Sequence, residues 1–369
     1  MQRGIPMHFR SAAVAISATA LLFTAACGGD DAEPSTSEEG GETSAAAEGK
    51  VGVILPDTES SVRWETADRP FLENAFEEAG IEVTIQNAEG DADTMSTIAD
   101  QMITEGVTVL AIVNLDSDSG AAIQSRAASA GVVTIDYDRL TLGGSADYYV
   151  SFDNTVVGEL QGQGLADCLG EGEKNIIFLN GSPTDNNATL FADGAHSVLD
   201  EIEGYTVVGE QAVPDWDNAE AATIFEQLLT TAGSVDGVLA ANDGLGNAAI
   251  SILDRNGLAG TVPVTGQDAT VQGLQNVLAG TQCMTVYKAA SQEAQGLVDV
   301  ATALINGEEP ETTGTVRDDT GDRDVQSILL TPQSITQENV KDVVDDGGVN
   351  VEDLCTGEYA ALCTEAGIS

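Results

Sequence analysis

Residues 51–87 read VGVILPDTESSVRWETADRPFLENAFEEAGIEVTIQN. The opening run, Val51–Leu55, has no polar residue. A polar loop follows, then a helical stretch over Pro70–Ala79, a glycine at 80 and a second β-rich run, Glu82–Asn87. A strand that is apolar throughout is covered on both faces, and strand–helix–strand is the unit of a parallel sheet. The unit repeats. β-rich runs recur at Val107–Asn114, Val132–Tyr137, Tyr148–Phe152, Asn175–Asn180, Tyr205–Val213, Val235–Ala240, Val262–Gly266 and Met284–Tyr287. Helical stretches lie between them, among them Thr94–Glu105, Ala121–Ala130, Val156–Leu169, Ala188–Leu199, Ala219–Thr231, Gly246–Asn256 and Ser291–Asn306. That is more strands than one open sheet commonly carries. The expected fold is therefore α/β with two Rossmann-like lobes, the chain restarting near Gly158.

The charge balance narrows the partners. The 369 residues hold 13 Lys plus Arg against 61 Asp plus Glu, a formal charge of −48. Affinity for nucleic acid or for an anionic lipid surface comes from clustered cations, so both are excluded as partners. There are two histidines, His8 and His196, and no C-x-x-C spacing. A zinc site or a His-based nucleophilic set is not expected, and no cofactor is called for.

The N-terminus reads as an address. Residues 1–26 contain Arg3 and Arg10, an apolar run from Ala12 to Phe23 and the small residues Thr24-Ala25-Ala26 before Cys27. This is a secretory signal, and a cysteine straight after small residues resembles a bacterial lipoprotein cleavage site, with Thr24 where leucine is commonest. Cys27 is expected to carry the lipid. Residues 27–49 lack aromatic and branched aliphatic residues and are rich in acid, Gly, Ser and Ala; they form an expected disordered tether. Four cysteines remain, and four permit three pairings. Cys355 and Cys363 close a short loop and form a candidate disulfide outside the cytoplasm.

Ligands of open parallel sheets bind beyond the carboxyl ends of the strands. Those ends carry Asp57 and then Arg63-Trp64, Asp138-Arg139, Asp185-Asn186-Asn187, Asp215-Trp216-Asp217, Asn242-Asp243, Gln267-Asp268 and Lys288. Both tryptophans of the chain stand there. Carboxylates and amides exchange hydrogen bonds with hydroxyl pairs, Arg and Lys donate charge-assisted ones, and indole covers the C–H face of a sugar ring. A neutral polyol satisfies all of these. No Walker spacing or G-x-G-x-x-G supports a phosphate or dinucleotide. Taken singly, Asp185, Asp217 and Asp243 read as helix caps or turn formers. Paired acids such as Asp138 and Asp268 are a glycosidase pattern, but each rim acid has a basic or amide neighbour, which favours ionised acceptors over a proton donor. The expectation is a binding protein, not an enzyme.

The stretches Tyr137-Asp-Arg-Leu140, Ser151-Phe-Asp-Asn154, Gly181-Ser-Pro-Thr-Asp-Asn-Asn-Ala188, Ala241-Asn-Asp243, Gly266-Gln-Asp-Ala269 and Gly280-Thr-Gln-Cys-Met-Thr-Val-Tyr-Lys288 resemble the sugar-binding proteins of ABC importers with the type I periplasmic binding fold, and most closely their D-xylose-binding branch. The resemblance runs from Lys50 to about Val340. It implies a monosaccharide ligand held by Arg63, Trp64, Asp138, Arg139, Asn187, Trp216, Asn242, Asp268 and Lys288. It also implies lobe closure about a three-crossing hinge near Phe152-Asp153, Lys288 and Asp319–Ser327, and delivery by a monomer to a membrane permease. The lobes would comprise residues 50–153 plus 289–320 and residues 154–288 plus 321–369. D-xylose is the implied sugar. Glucose, ribose and arabinose stay open, as does a sensor role, because a single hydroxyl contact alters preference. Cys168, Cys283 and the tail from Val349 depart from the pattern.

Overall fold

The computed structural model describes residues 49–368. The expected signal, Cys27 and the tether up to residue 48 lie outside the described residues. No described helix is long and apolar enough to cross a membrane.

The strands are β1 (Lys50–Leu55), β2 (Glu82–Asn87), β3 (Val109–Ile112), β4 (Val133–Tyr137), β5 (Tyr148–Phe152), β6 (Lys174–Asn180), β7 (Tyr205–Ala212), β8 (Gly237–Ala240), β9 (Thr285–Tyr287), β10 (Gly314–Asp318), β11 (Arg323–Leu330) and β12 (Gln333–Ile335). The first sheet has the order β10-β11-β5-β4-β3-β1-β2, parallel except for β10. The second has the order β7-β6-β8, all parallel. Single bridges from Val238 to Val264 and from Gln267 to Val286 extend it toward β9, which pairs antiparallel with β12.

Period-two alternation explains the apolar run in β1. Val51, Val53 and Leu55 face Leu72 and Phe76 of the helix Arg69–Ala79 and Leu297 and Val298 of the helix Ala290–Asn306. Ile54, on the opposite face with Leu110 and Ile112, meets Met95 and Met102 of the helix Ala92–Thr104. Both faces are thus covered by helices, as parallel strands require.

The chain crosses between the sheets three times. After Phe152 it enters the helix Asn154–Leu169, whose Leu165 packs on Ile176 and Phe178 of β6. After Lys288 it returns through the helix Ala290–Asn306. After Leu330 it reaches β12.

The third crossing and the lobe boundary expected at residue 320 are corrected here. Arg323–Leu330 is hydrogen-bonded to β5, Gln326 opposite Tyr148 through Leu330 opposite Phe152. Val325 is buried with Leu140 and Tyr149. Residues 321–330 therefore belong with the first sheet, where the β10–β11 hairpin covers the edge that β5 would otherwise leave unpaired. The crossing lies between Leu330 and Gln333.

Val262–Gly266 forms a bridge rather than a regular strand. Pro263 has no N–H to give to a ladder and only accepts, from Val238. The helix Val271–Ala279, absent from the sequence reading, supports the C-terminal tail: its Leu274, Val277 and Leu278 pack with Val340, Leu354, Cys363 and Ile368. Cys355 is bonded to Cys363, and Cys168 to Cys283; the second bond ties the end of the helix Asn154–Leu169 to the segment entering β9.

The helices Asn154–Leu169 and Asn186–Leu199 cross where glycines replace side chains. A Cβ on Gly158 would collide with the Phe191 carbonyl, and one on Gly194 with the Thr155 carbonyl. Backbone contact of this kind has no flexible partner to yield. Gly158→Ala is expected to destabilise the protein by about 1–3 kcal/mol. Gly314→Ala, where an added Cβ meets nothing within 4 Å, is expected to be close to neutral. Denaturant midpoints of the two variants against wild type measure this; equal midpoints for all three would contradict it.

Candidate functional site

All nine residues singled out by the sequence line one cavity between the two sheets. Each reaches it from a strand end or from the helix that follows. Arg63 and Trp64 stand where the loop after β1 turns into the helical turn Trp64–Asp68. Asp138 and Arg139 follow β4 directly. Asn187 lies in the first turn of the helix Asn186–Leu199, and Asn242 caps the helix Asp243–Arg255 by accepting from Leu245 N at 2.9 Å. Trp216 follows β7, Lys288 follows β9, and Asp268 lies beside the latter: its N–H donates to Val286 O.

Asp138 is the centre. Its Oδ2 accepts from Lys288 Nζ at 2.9 Å and from Arg63 Nη1 at 3.1 Å, and its Oδ1 accepts from Asn187 Nδ2 at 3.0 Å. Its carbonyl accepts from Ser151 Oγ, Tyr149 Oη and Asn187 Nδ2. Burial opposes the charge on Asp138, but Lys288, Arg63 and Arg139 outweigh it and hold the carboxyl well below the usual range. Arg63 is fixed from behind. Asp68 takes its Nε and Nη2, each at 2.7 Å, and Glu293 takes Nη2 at 2.7 Å. Arg139 pairs with Asp185 at 2.9 Å.

The aromatic walls are anchored by their nitrogen atoms. Trp64 Nε1 donates to Ser60 Oγ at 3.1 Å, with the Arg63 guanidinium 4.6 Å from its ring centroid. Trp216 Nε1 donates to Asp185 Oδ2 at 3.2 Å, and its ring meets Phe191 edge-on. Gly181 makes room for that ring; a Cβ there would overlap it. Asp138, Trp216 and Asp268 all have positive φ, at 61°, 56° and 102°. Such backbone costs on the order of 1–3 kcal/mol each for residues with a Cβ, and it persists where surrounding structure imposes it, often at binding sites.

Contacts across the cleft are direct. Ser61 Oγ donates to Asp268 Oδ2 at 2.7 Å, Asn242 Nδ2 to Ser60 O at 3.1 Å and Thr184 Oγ1 to Leu115 O at 3.2 Å. The arrangement is a closed, polar, aromatic-walled chamber. Its three cations are all paired, Arg63 and Lys288 with Asp138 and Arg139 with Asp185, while Asp268 takes hydroxyl and amide donors, so the lining offers several donors and acceptors at once. Such a lining fits a small uncharged ligand bearing several hydroxyls.

Five further residues line the cavity: Ser60, Ser61, Asp185, Phe191 and Gln267. Asp185 caps its helix by accepting from Asn187 N at 2.9 Å, as the sequence suggested, and it also holds Arg139 and Trp216. Phe191 is four residues beyond Asn187, on the same helix face, and that spacing was the available signal. Ser60 and Ser61 left no signal; only the tertiary fold brings the loop to Asn242 and Asp268. Asp217 and Asp243 stay outside the cavity. Asp217 accepts from Ala219 N and Glu220 N. Asp243, buried, accepts from Thr270, Gln282 and Thr285. Among the described residues no cluster of His, Cys, Asp and Glu could hold a metal ion.

Comparison with known proteins agrees with this geometry. Over 311 residues the chain is 37% identical to a D-xylose-binding periplasmic protein of Escherichia coli (strain K12), covering 83% of this chain and 92% of that one. It is 36% identical to a multiple sugar-binding periplasmic receptor of Rhizobium radiobacter, covering 82% and 91%. An ABC transporter solute-binding protein from Clostridium phytofermentans, solved with β-D-glucose, superimposes with a TM-score of 0.76 at 28% identity, covering 83% and 99%. The family model described as a periplasmic binding protein domain matches residues 51–309. With the two-sheet architecture, the three crossings and the cleft between the sheets, the match places this chain in the periplasmic binding protein family.

Proposed function

We propose that the protein captures a monosaccharide, D-xylose first among aldoses, between two lobes and delivers it to the permease of an ABC importer. The observation that carries this is the convergence itself: nine residues from seven chain segments line one cavity. The 37% identity to a D-xylose-binding protein supports the choice of sugar. The similar receptor that binds multiple sugars favours a second reading, in which several aldoses are accepted.

In this proposal the nine residues hold the sugar. Asp138, Asp268 and the amides of Asn187 and Asn242 engage its hydroxyls, Arg63, Arg139 and Lys288 donate to its oxygens, and the two indoles flank the ring. The lobes comprise residues 50–153 with 289–330 and residues 154–288 with 331–369, and they move about the three crossings. The sugar shifts a pre-existing open–closed equilibrium by contacting both lobes only when they are closed. The chain acts as a monomer, tethered through a lipid on Cys27, which keeps its local concentration beside the permease high.

Calorimetric titration of the protein with a panel of pentoses and hexoses is expected to show saturable heat with D-xylose. No heat with any aldose would sink the reading. Lys288→Met removes a charged donor from Asp138 and is expected to weaken binding by about 1.5–3 kcal/mol, roughly 10- to 150-fold. Unchanged affinity would take Lys288 out of the site. Expressed with its own N-terminus in a lipoprotein-processing bacterium, the protein is expected to incorporate a labelled fatty acid, and Cys27→Ser to lose the label. Equal labelling of the two would refute the anchor.

A further inference from the structure

Glu293 does not line the cavity, yet it is fully buried directly behind it, in the first turn of the helix Ala290–Asn306. Its Oε2 accepts from Arg63 Nη2 at 2.7 Å, and that same nitrogen also donates to Asp68 at 2.7 Å. Its Oε1 meets no donor. The charged and titratable groups facing it come from every neighbouring element. Arg63 and Asp68 follow β1, Tyr137 and Asp138 come from β4 and its end, Tyr149 comes from β5, and Lys288 follows β9. Burial keeps both tyrosines neutral. Two cations therefore face three carboxyl groups, all of them more than nine-tenths buried.

One proton removes the excess negative charge, and the hydrogen bonds indicate where it goes. Asp68 receives two bonds from Arg63 and one from Tyr137 Oη at 2.9 Å. Asp138 receives Arg63, Lys288 and Asn187. Glu293 receives one bond from a shared nitrogen and has a bare oxygen, so it gains least by ionising.

We propose that Glu293 is a positioning residue at which closure over the sugar takes up a proton, so that affinity for this uncharged ligand falls as pH rises. The proposal rests on the sugar-binding reading above. Opening the cleft admits water to Arg63 and Asp138, and water tolerates the excess charge. Closing it expels that water and makes the excess costly. Burial first, then the charge of Asp138, pushes Glu293 up to about 8, against the pull of Arg63 and Lys288. The closed form thus binds the proton more tightly than the open form. By linkage, affinity is highest below the open-form value and is lost as pH rises through the closed-form value, by at most about tenfold per pH unit for one proton.

The test is titration with D-xylose in two buffers of different ionisation heat, at about pH 6 and about pH 8. Expected are binding and proton uptake at both, the larger uptake at the lower pH, which lies between the open-form and closed-form values, and about half a proton at the higher, near the closed-form value. Glu293→Gln is expected to abolish the uptake and flatten affinity across this window; Glu293→Leu serves the same purpose should the amide fold poorly. Binding with no uptake in wild type overturns the proposal and leaves the sugar reading intact. Equal uptake in the variants assigns the proton to another carboxyl, Asp185 or Asp268, and overturns it too. No heat at either pH removes the sugar reading and this proposal together.

Discussion

The carboxylate of Asp138, buried between cations from opposite ends of the sequence, is the constraint on which the cleft depends. A charge taken out of water is tolerable only when its partners are close and hydrogen-bonded, and removing one partner of a buried pair costs about 3–5 kcal/mol. Arg63 comes 75 residues earlier in the chain and Lys288 150 residues later. The two meet on one oxygen only if the ends of β1 and β4, in the first sheet, face the end of β9 beside the second. Parallel order supplies half of that condition, because β1 and β4 point the same way; the meeting of the two sheets across the cleft supplies the rest. The fold and the charge pairing therefore require one another.

Buried bonds join the two sides of the cleft, Asp138 with Lys288 and Asn187 and Arg139 with Asp185, and weaker ones close its rim. Ser61 with Asp268, Asn242 with the Ser60 carbonyl and Thr184 with the Leu115 carbonyl are single hydrogen bonds at the mouth. Each is worth on the order of 1 kcal/mol net. The buried network makes the other half of the arrangement. Arg63 is clamped by Asp68 and Glu293, both on its own side of the cleft, which fixes the direction of its guanidinium toward Asp138.

Much of this was legible in the sequence, for reasons that differ by residue. β2 and β5 were read to the residue: β2 alternates polar with branched residues shortly after Gly80, and β5 stands between Asp147 and Asp153. The resemblance implied nine residues for the site, and the strand-end reading already contained all nine among others, because ligands of such sheets sit beyond strand ends. The β10–β11 hairpin was misplaced across the boundary, since no periodicity says which of two sheets a late strand joins; the decision belongs to β5, which offered an open edge. Asp185 was read as a cap, and it is one, but a cap one residue from the rim can also hold a guanidinium. Ser60, Ser61 and Glu293 were invisible. Two loop serines and a helical glutamate are ordinary surface residues until tertiary structure buries them.

The placement of the cations decides what kind of ligand the cleft suits. In a chain with 13 basic residues against 61 acidic ones, surface carboxylates vastly outnumber the partners available to them. Yet Arg63, Arg139 and Lys288 are all nearly inaccessible, at 6%, 6% and 5% exposure. Exposed ion pairs stabilise a protein by little, about 0–1 kcal/mol each, so surface pairing gives no reason to bury three cations in one cleft. Their carboxylate partners there, Asp68, Asp138, Asp185 and Glu293, already exceed them in number, and Asp268 adds a fifth carboxyl with no cation partner. An anionic ligand would add to that excess, and a cationic one would displace Arg or Lys from bonds near 2.9 Å. An uncharged molecule with hydroxyls on several carbons leaves the charge pairing as it stands and fills the acceptor and donor sites that remain.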